Sequence, residues 1–82
     1  MYYIFAFRSR AESMAFFDNT KKQGLFTRLI STPREISIGC GLSVKVNDRN
    51  IDTAYELLEV CPNNTFLGVF YCNGSEITRV KR

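Results

Sequence analysis

The chain contains no histidine, and that absence removes a large class of functions at once. Ser-His-Asp and Cys-His nucleophile pairs, imidazole acid/base chemistry and the commonest zinc sites all need the missing side chain. Covalent chemistry, if any, must use cysteine, a carboxylate, Lys/Arg or Tyr. Cysteine is itself scarce. Cys40, Cys61 and Cys72 make an odd count of three with no C-x-x-C pair, a pattern of reduced thiols rather than of a disulfide framework. Neither a metal nor a cofactor is expected.

Long apolar runs are missing too. No stretch approaches the roughly 20 residues of a membrane span. The apolar start, Tyr2 to Phe7, is short for a signal-peptide core, has no basic segment ahead of it and meets Arg8 at once. With reduced thiols, these features predict a cytoplasmic protein with no membrane partner. Charge of one sign is not concentrated either. Eleven basic against eight acidic residues leave a net charge of +3, and the basic residues are scattered apart from the tail at Arg79 to Arg82. Nucleic acid is therefore not expected as a partner. There is no repeat and no low-complexity segment.

What is present suits one domain over residues 1–82. A chain of this size buries only about 60% of its unfolded surface and cannot support two cores. Its 45% hydrophobic content, with seven Phe and four Tyr, concentrates burial in few side chains and allows a packed core without metal or disulfide.

Tyr2 to Phe7 has apolar residues on both faces, as a central strand covered on both sides would. Ser9-Arg10-Ala11-Glu12 is a capping box, Ser9 at the N-cap and Glu12 at N3. The helix it opens is expected to turn Ala11, Met14, Ala15 and Phe17 inward and to end at Gly24, behind Lys21 and Lys22. Leu25 to Ser31 reads as a second strand, stopped by Pro33, and residues 41–46 as a third. Asn47 and Asp48 cap a second helix carrying Ile51, Ala54, Leu57 and Leu58, and Pro62 stands just past its end. Phe66 to Cys72 is a fourth strand. Asn73-Gly74 signals a type I′ turn that folds Glu76 to Val80 back as a short fifth.

The order β-α-β-β-α-β plus a final hairpin strand predicts an α+β sandwich, with two helices on one face of an antiparallel sheet. The ferredoxin-like arrangement is the commonest realisation. Strands one and three would then lie side by side, with Arg8, Ser9 and the first helix N-terminus near Cys40. Cys61 would come to the same edge and Cys72 to the opposite one. A first strand apolar on both faces, with only two helices to cover the sheet, favours a homodimer.

The chemically distinctive stretch runs from Ser31 to Val46. Cys40 sits there between Gly39 and Gly41, after a Thr32-Pro33-Arg34 turn and before the alternating strand. Flanking glycines remove side chains that would shield the sulfur and permit φ > 0. A free thiol of pKa about 8.5 is only a few per cent thiolate at neutral pH. A helix N-terminus contributes about 0.3–1 kcal/mol, less than one pKa unit. Arg8, Arg10 or Arg34 within about 4–6 Å would bring the shift to one or two units.

Thr32 and Ser37 either satisfy the turn backbone or donate to a bound anion. Arg34 is either a solvated loop charge or a guanidinium beside the thiol or an anionic group. Cys40 is either that reactive thiol or a small apolar residue tucked under the loop. Cys61 and Cys72 read as structural. Aromatics on the first and fourth strands have the look of an RNA-stacking platform, but the full RNA-binding signature is absent and core packing accounts for them.

Thr32-Pro33-Arg34-Glu35-Ile36-Ser37, two residues, then Cys40-Gly41 resembles the signature of a small bacterial family described as putative selenium/sulfur carrier protein-like. The likeness extends over most of the chain, through the aromatic first strand, the capped helix ending in Gly24, the Leu-Leu helix and the final hairpin. Ile38-Gly39 departs from the small polar residues expected before the cysteine.

The resemblance implies that Cys40 holds sulfur or selenium as a persulfide or selenosulfide. A donor protein would supply it and an acceptor protein would take it. The chain would then be a carrier or accessory protein more than a stand-alone enzyme. The alternative is a non-catalytic ligand-binding or interaction module in which the same loop binds an anion or a partner. A third reading is a redox switch through a Cys40 to Cys61 disulfide.

Overall fold

A computed structural model describes residues 1–36 and 41–80. The elements are β1 (Tyr2–Phe7), α1 (Arg10–Lys22), β2 (Thr27–Ser31), β3 (Leu42–Asn47), a 3-10 turn (Asp48–Asn50), α2 (Ile51–Val60), β4 (Phe66–Asn73) and β5 (Glu76–Val80). The five strands form one antiparallel sheet in the order β2-β3-β1-β4-β5. The protein is α+β, with β1 beside β3 as the connectivity predicts. Phe16 of α1 and Tyr55 of α2 both meet the Phe5 ring, at centroid separations of 5.0 and 5.5 Å. Both helices therefore cover the face to which Phe5 points.

That face holds the core. Phe5, Phe7, Val44, Val46 and Val69 from the sheet meet Phe16, Ala54 and Leu58 from the helices, and Phe7 lies 5.6 Å from Phe16 and 5.2 Å from Phe66. Burying one such side chain contributes about 1.5–3 kcal/mol. Here α1 departs from the expected inward face. Its buried residues are Ser13, Phe16 and Thr20, while Ala11 is exposed and Met14 is 50% exposed. The reason is hydrogen bonding. The Ser13 hydroxyl donates to the Leu42 carbonyl, and Thr20 Oγ1 donates to the Phe17 carbonyl at 2.7 Å and pairs with Thr27 Oγ1 at 2.9 Å. Two hydroxyls with partners can be buried beside Phe16 at little cost. Positions 13, 16, 17 and 20 form a proper helical stripe once they are counted as buried.

α1 ends as predicted, with Gly24 at φ +76°. The Gly24 amide donates to the Lys21 carbonyl and the Leu25 amide to the Thr20 carbonyl, both at 3.0 Å, which is a Schellman closure. The second helix begins later than its caps suggest, because Asn47 caps the 3-10 turn through Arg49 N at 3.0 Å. The final turn differs as well. Asn73 pairs with Glu76, so Gly74 and Ser75 are the central residues. Only Gly74 has positive φ, at +64°, as in a type II′ turn rather than I′.

The outer face of β1 is also buried, with Ile4 1% and Ala6 0% exposed. Ionic side chains lie over aromatic rings on this side. Lys45 Nζ is 4.2 Å from the Tyr2 ring centre, and the Arg79 guanidinium is 6.0 Å from that of Phe70. Glycine at position 68, at φ +147°, leaves room for that guanidinium, since a Cβ there would stand 3.3 Å from it. These cations snorkel over part of the outer face. Among the described residues no helix is long and apolar enough to cross a membrane.

Candidate functional site

The loop between β2 and β3 carries the sequence-derived candidates. Its stem is clamped. The Thr32 amide donates to the Gly41 carbonyl at 3.0 Å, extending the β2–β3 ladder past Ser31 and Leu42. Thr32 Oγ1 and Ser43 Oγ are 2.7 Å apart, with Ser43 fully buried. The Ser13 hydroxyl ties the next carbonyl, that of Leu42, to α1. Pro33 to Ile36 make a turn closed by Ile36 N donating to the Pro33 carbonyl at 3.0 Å. Arg34 and Glu35 are its two central residues.

Space is a constraint on Gly41, which is bonded to Cys40. A Cβ would come 3.2 Å from Thr32 Oγ1 and 3.7 Å from the Phe7 carbonyl oxygen. The same contact brings the start of β3 to the end of β1, where Arg8 and the α1 N-terminus follow. Cys40, Ser37 and Gly39 lie outside the described residues.

Arg8, Arg10 and Arg34 are exposed. Among the described residues, none has a side-chain partner. The α1 N-terminus is already occupied. Ser9 Oγ accepts from Glu12 N at 3.3 Å, but the return bond of the capping box runs through Thr65. Ser9 N donates to Thr65 Oγ1 at 2.9 Å, and both Thr65 N and Thr65 Oγ1 donate to Glu12 Oε1, at 2.8 and 2.7 Å. Those bonds from Thr65, with one from the Asn64 backbone, hold the Glu12 carboxyl below the ordinary carboxylate range. Its negative charge lies at the α1 N-terminus, where the helix dipole favours it.

Cys61 is 6% exposed at the C-cap of α2, within the core. Burial pushes its thiol pKa up, with the Asn19 side chain partly opposing. Cys72 pairs with Tyr2, at the end of the sheet away from Phe7 and Gly41, as expected. Burial raises its pKa as well. Tyr2 and Lys45 oppose that rise, and the Glu35 charge adds to it through space.

Sequence reasoning did not find Thr65, Ser13 or Ser43 as determinants of this end of the molecule. Thr65 lies 53 positions from Glu12, and no local spacing signals such a pair. Ser13 and Ser43 are polar residues at buried positions, so they read as surface. Among the described residues there is no cluster of three His, Cys, Asp or Glu suited to a metal ion.

A family model described as "Putative Se/S carrier protein-like" matches residues 2–61. No curated protein and no solved structure matches the chain.

Proposed function

We infer a function from one premise: this chain belongs to the family described as "Putative Se/S carrier protein-like". The reading is a small cytoplasmic sulfur or selenium carrier in which Cys40 is the loading site. The Cys40 thiolate attacks the outer sulfur of a donor protein's persulfide. The donor's S–S bond breaks, the donor leaves as a thiolate, and the outer sulfur is now bonded to Cys40 as a new persulfide. An acceptor thiolate repeats the step, and Cys40 leaves as a thiolate. No net oxidant is needed in either transfer. Selenium in the outer position follows the same course.

The observation that carries this reading is the family match, which spans the whole of the β2–β3 loop with its cysteine. Arg34, Arg8 and Arg10, exposed and without side-chain partners among the described residues, stabilise the thiolate and the persulfide anion. Thr32 and Gly41 clamp the stem on which the cysteine is presented. Ser37 and Gly39 complete the loop, donating to the bound group and leaving it open to the partner's active site. We read the first four strands, in the order 2-3-1-4, as a ferredoxin-like sandwich to which β5 adds a strand.

Alkylation kinetics test the thiol directly. Iodoacetamide should label Cys40 faster than free cysteine at neutral pH, with a rate profile shifted to lower pH by one or two units. Arg34→Gln should shift that profile back. Cys40 labelling no faster than free cysteine would favour instead a binding module whose loop recognises an anion or a partner.

A further inference from the structure

At the end of the molecule opposite the loop stem, a groove of about 640 Å³ opens among the start of β1, the end of α1 and the β2–β3 ladder. Its size is that of small-molecule sites, about 300–1,000 Å³. Lys21, Arg28 and Lys45 line it together with Tyr2, Phe26 and Thr27, and among the described residues no carboxylate does. These cations come from α1, β2 and β3, and the fold gathers them.

Two further observations point to an anionic occupant. Arg28 and Lys45 are direct cross-strand partners on β2 and β3, and like charges placed opposite each other destabilise a sheet. Among the described residues no carboxylate pairs with either. Phe26 is 64% exposed, an unusual position for a large aromatic. Its backbone amide is fixed by Asn50 Oδ1 at 3.0 Å, and the Arg49 guanidinium stands 5.9 Å from its ring. Lys45 and Lys21 lie over the Tyr2 and Phe17 rings at 4.2 and 5.6 Å rather than against a carboxylate, so their charge is not neutralised, and an exposed ring beside such cations suits a stacked base and its phosphate.

We propose that this groove binds a nucleotide unit, the phosphate on Lys21, Arg28 and Lys45 and the base on Phe26. The unit comes either as a free nucleotide or as part of a single-stranded nucleic acid. The site is independent of Cys40 and of the carrier reading. Glu35, whose charge reaches Cys72 on the same outer face, does not line the groove.

The test is fluorescence anisotropy of a labelled single-stranded RNA oligonucleotide, with AMP and unlabelled strand as competitors. One neutralised phosphate predicts a slope of about −0.7 in log K against log salt. The double variant R28Q/K45Q should weaken binding about tenfold or more and bring the slope toward zero. Its thermal midpoint should be unchanged or higher, since a like-charge pair is removed. Phe26→Ala should weaken binding about tenfold with the slope retained, and Cys40→Ser should bind as the native chain does. AMP competing as well per nucleotide as the strand assigns the site to free nucleotides. Competition by the strand alone assigns it to nucleic acid. Absence of binding by either probe at low salt, or binding unaltered in both R28Q/K45Q and Phe26→Ala, overturns the proposal.

Discussion

Replacing Gly41 by alanine probes the stem that presents Cys40. The new Cβ would stand 3.2 Å from Thr32 Oγ1 and 3.7 Å from the Phe7 carbonyl oxygen. The backbone oxygen is fixed by the sheet, so the threonine hydroxyl must give way. It cannot do so freely, because it is 2.7 Å from the hydroxyl of buried Ser43. Loss of that bond costs about 0.5–1.5 kcal/mol, and more if Ser43 is left without a partner.

Against this, alanine restricts the unfolded chain, an effect of about 0.4–1 kcal/mol wherever the native φ accommodates it. The expected net is a destabilisation of about 1 kcal/mol, equivalent to about 4–8 °C in Tm for a domain of this size. In a Thr32→Ala background the obstacle is absent, and Gly41→Ala should become neutral or stabilising. Urea unfolding followed by circular dichroism on the four chains of the cycle measures the coupling, expected at about 1–2 kcal/mol. Equal effects of Gly41→Ala in both backgrounds would refute the steric reasoning.

Phe16→Ala removes a fully buried ring held against Phe5 and Phe7, and should cost about 3–5 kcal/mol in the same assay. Glu12 titrates below its ordinary range because Thr65 bonds its charged form. Its contribution to stability is therefore present above the unfolded carboxyl pKa and disappears as pH falls through the lower folded value. Urea midpoints of Glu12→Gln should lack that part of the acid dependence while the native chain keeps it. Cys61 and Cys72 have thiols raised by burial, so their stabilising effect holds below the unfolded thiol pKa and declines as pH rises through the folded values. Both should react with a disulfide reagent at pH 8 only at the rate of global unfolding, and Cys72→Ala should reduce the alkaline loss of stability.

Most of the fold was legible because it rests on local signals. The two-faced apolar run at Tyr2 to Phe7, Ser9 with Glu12, Gly24 behind two lysines and the Asn-Gly turn each name an element boundary through backbone chemistry. The sequence reading failed where a polar residue is buried with a distant partner. Ser13 and Thr20 find theirs at Leu42 and Thr27, so the inward stripe of α1 read as its flank. Gly41 read as a residue that unshields the sulfur and frees the backbone, and the close neighbour it also meets, Thr32, stands nine residues earlier in sequence. The Glu12 carboxylate was legible as a cap of α1, but its bonds to Thr65 were not, because the two residues stand 53 positions apart. The basic groove was not legible for the same reason, as strand register joins Arg28 to Lys45 and helix packing adds Lys21.

Intact-protein mass spectrometry after incubation with a cysteine desulfurase and cysteine tests the carrier role most directly. A carrier loaded at Cys40 predicts a reducible gain of about 32 Da per sulfur, present in the native chain and in Cys61→Ser and lost in Cys40→Ser. No gain in the native chain, or a gain that survives Cys40→Ser, would contradict it.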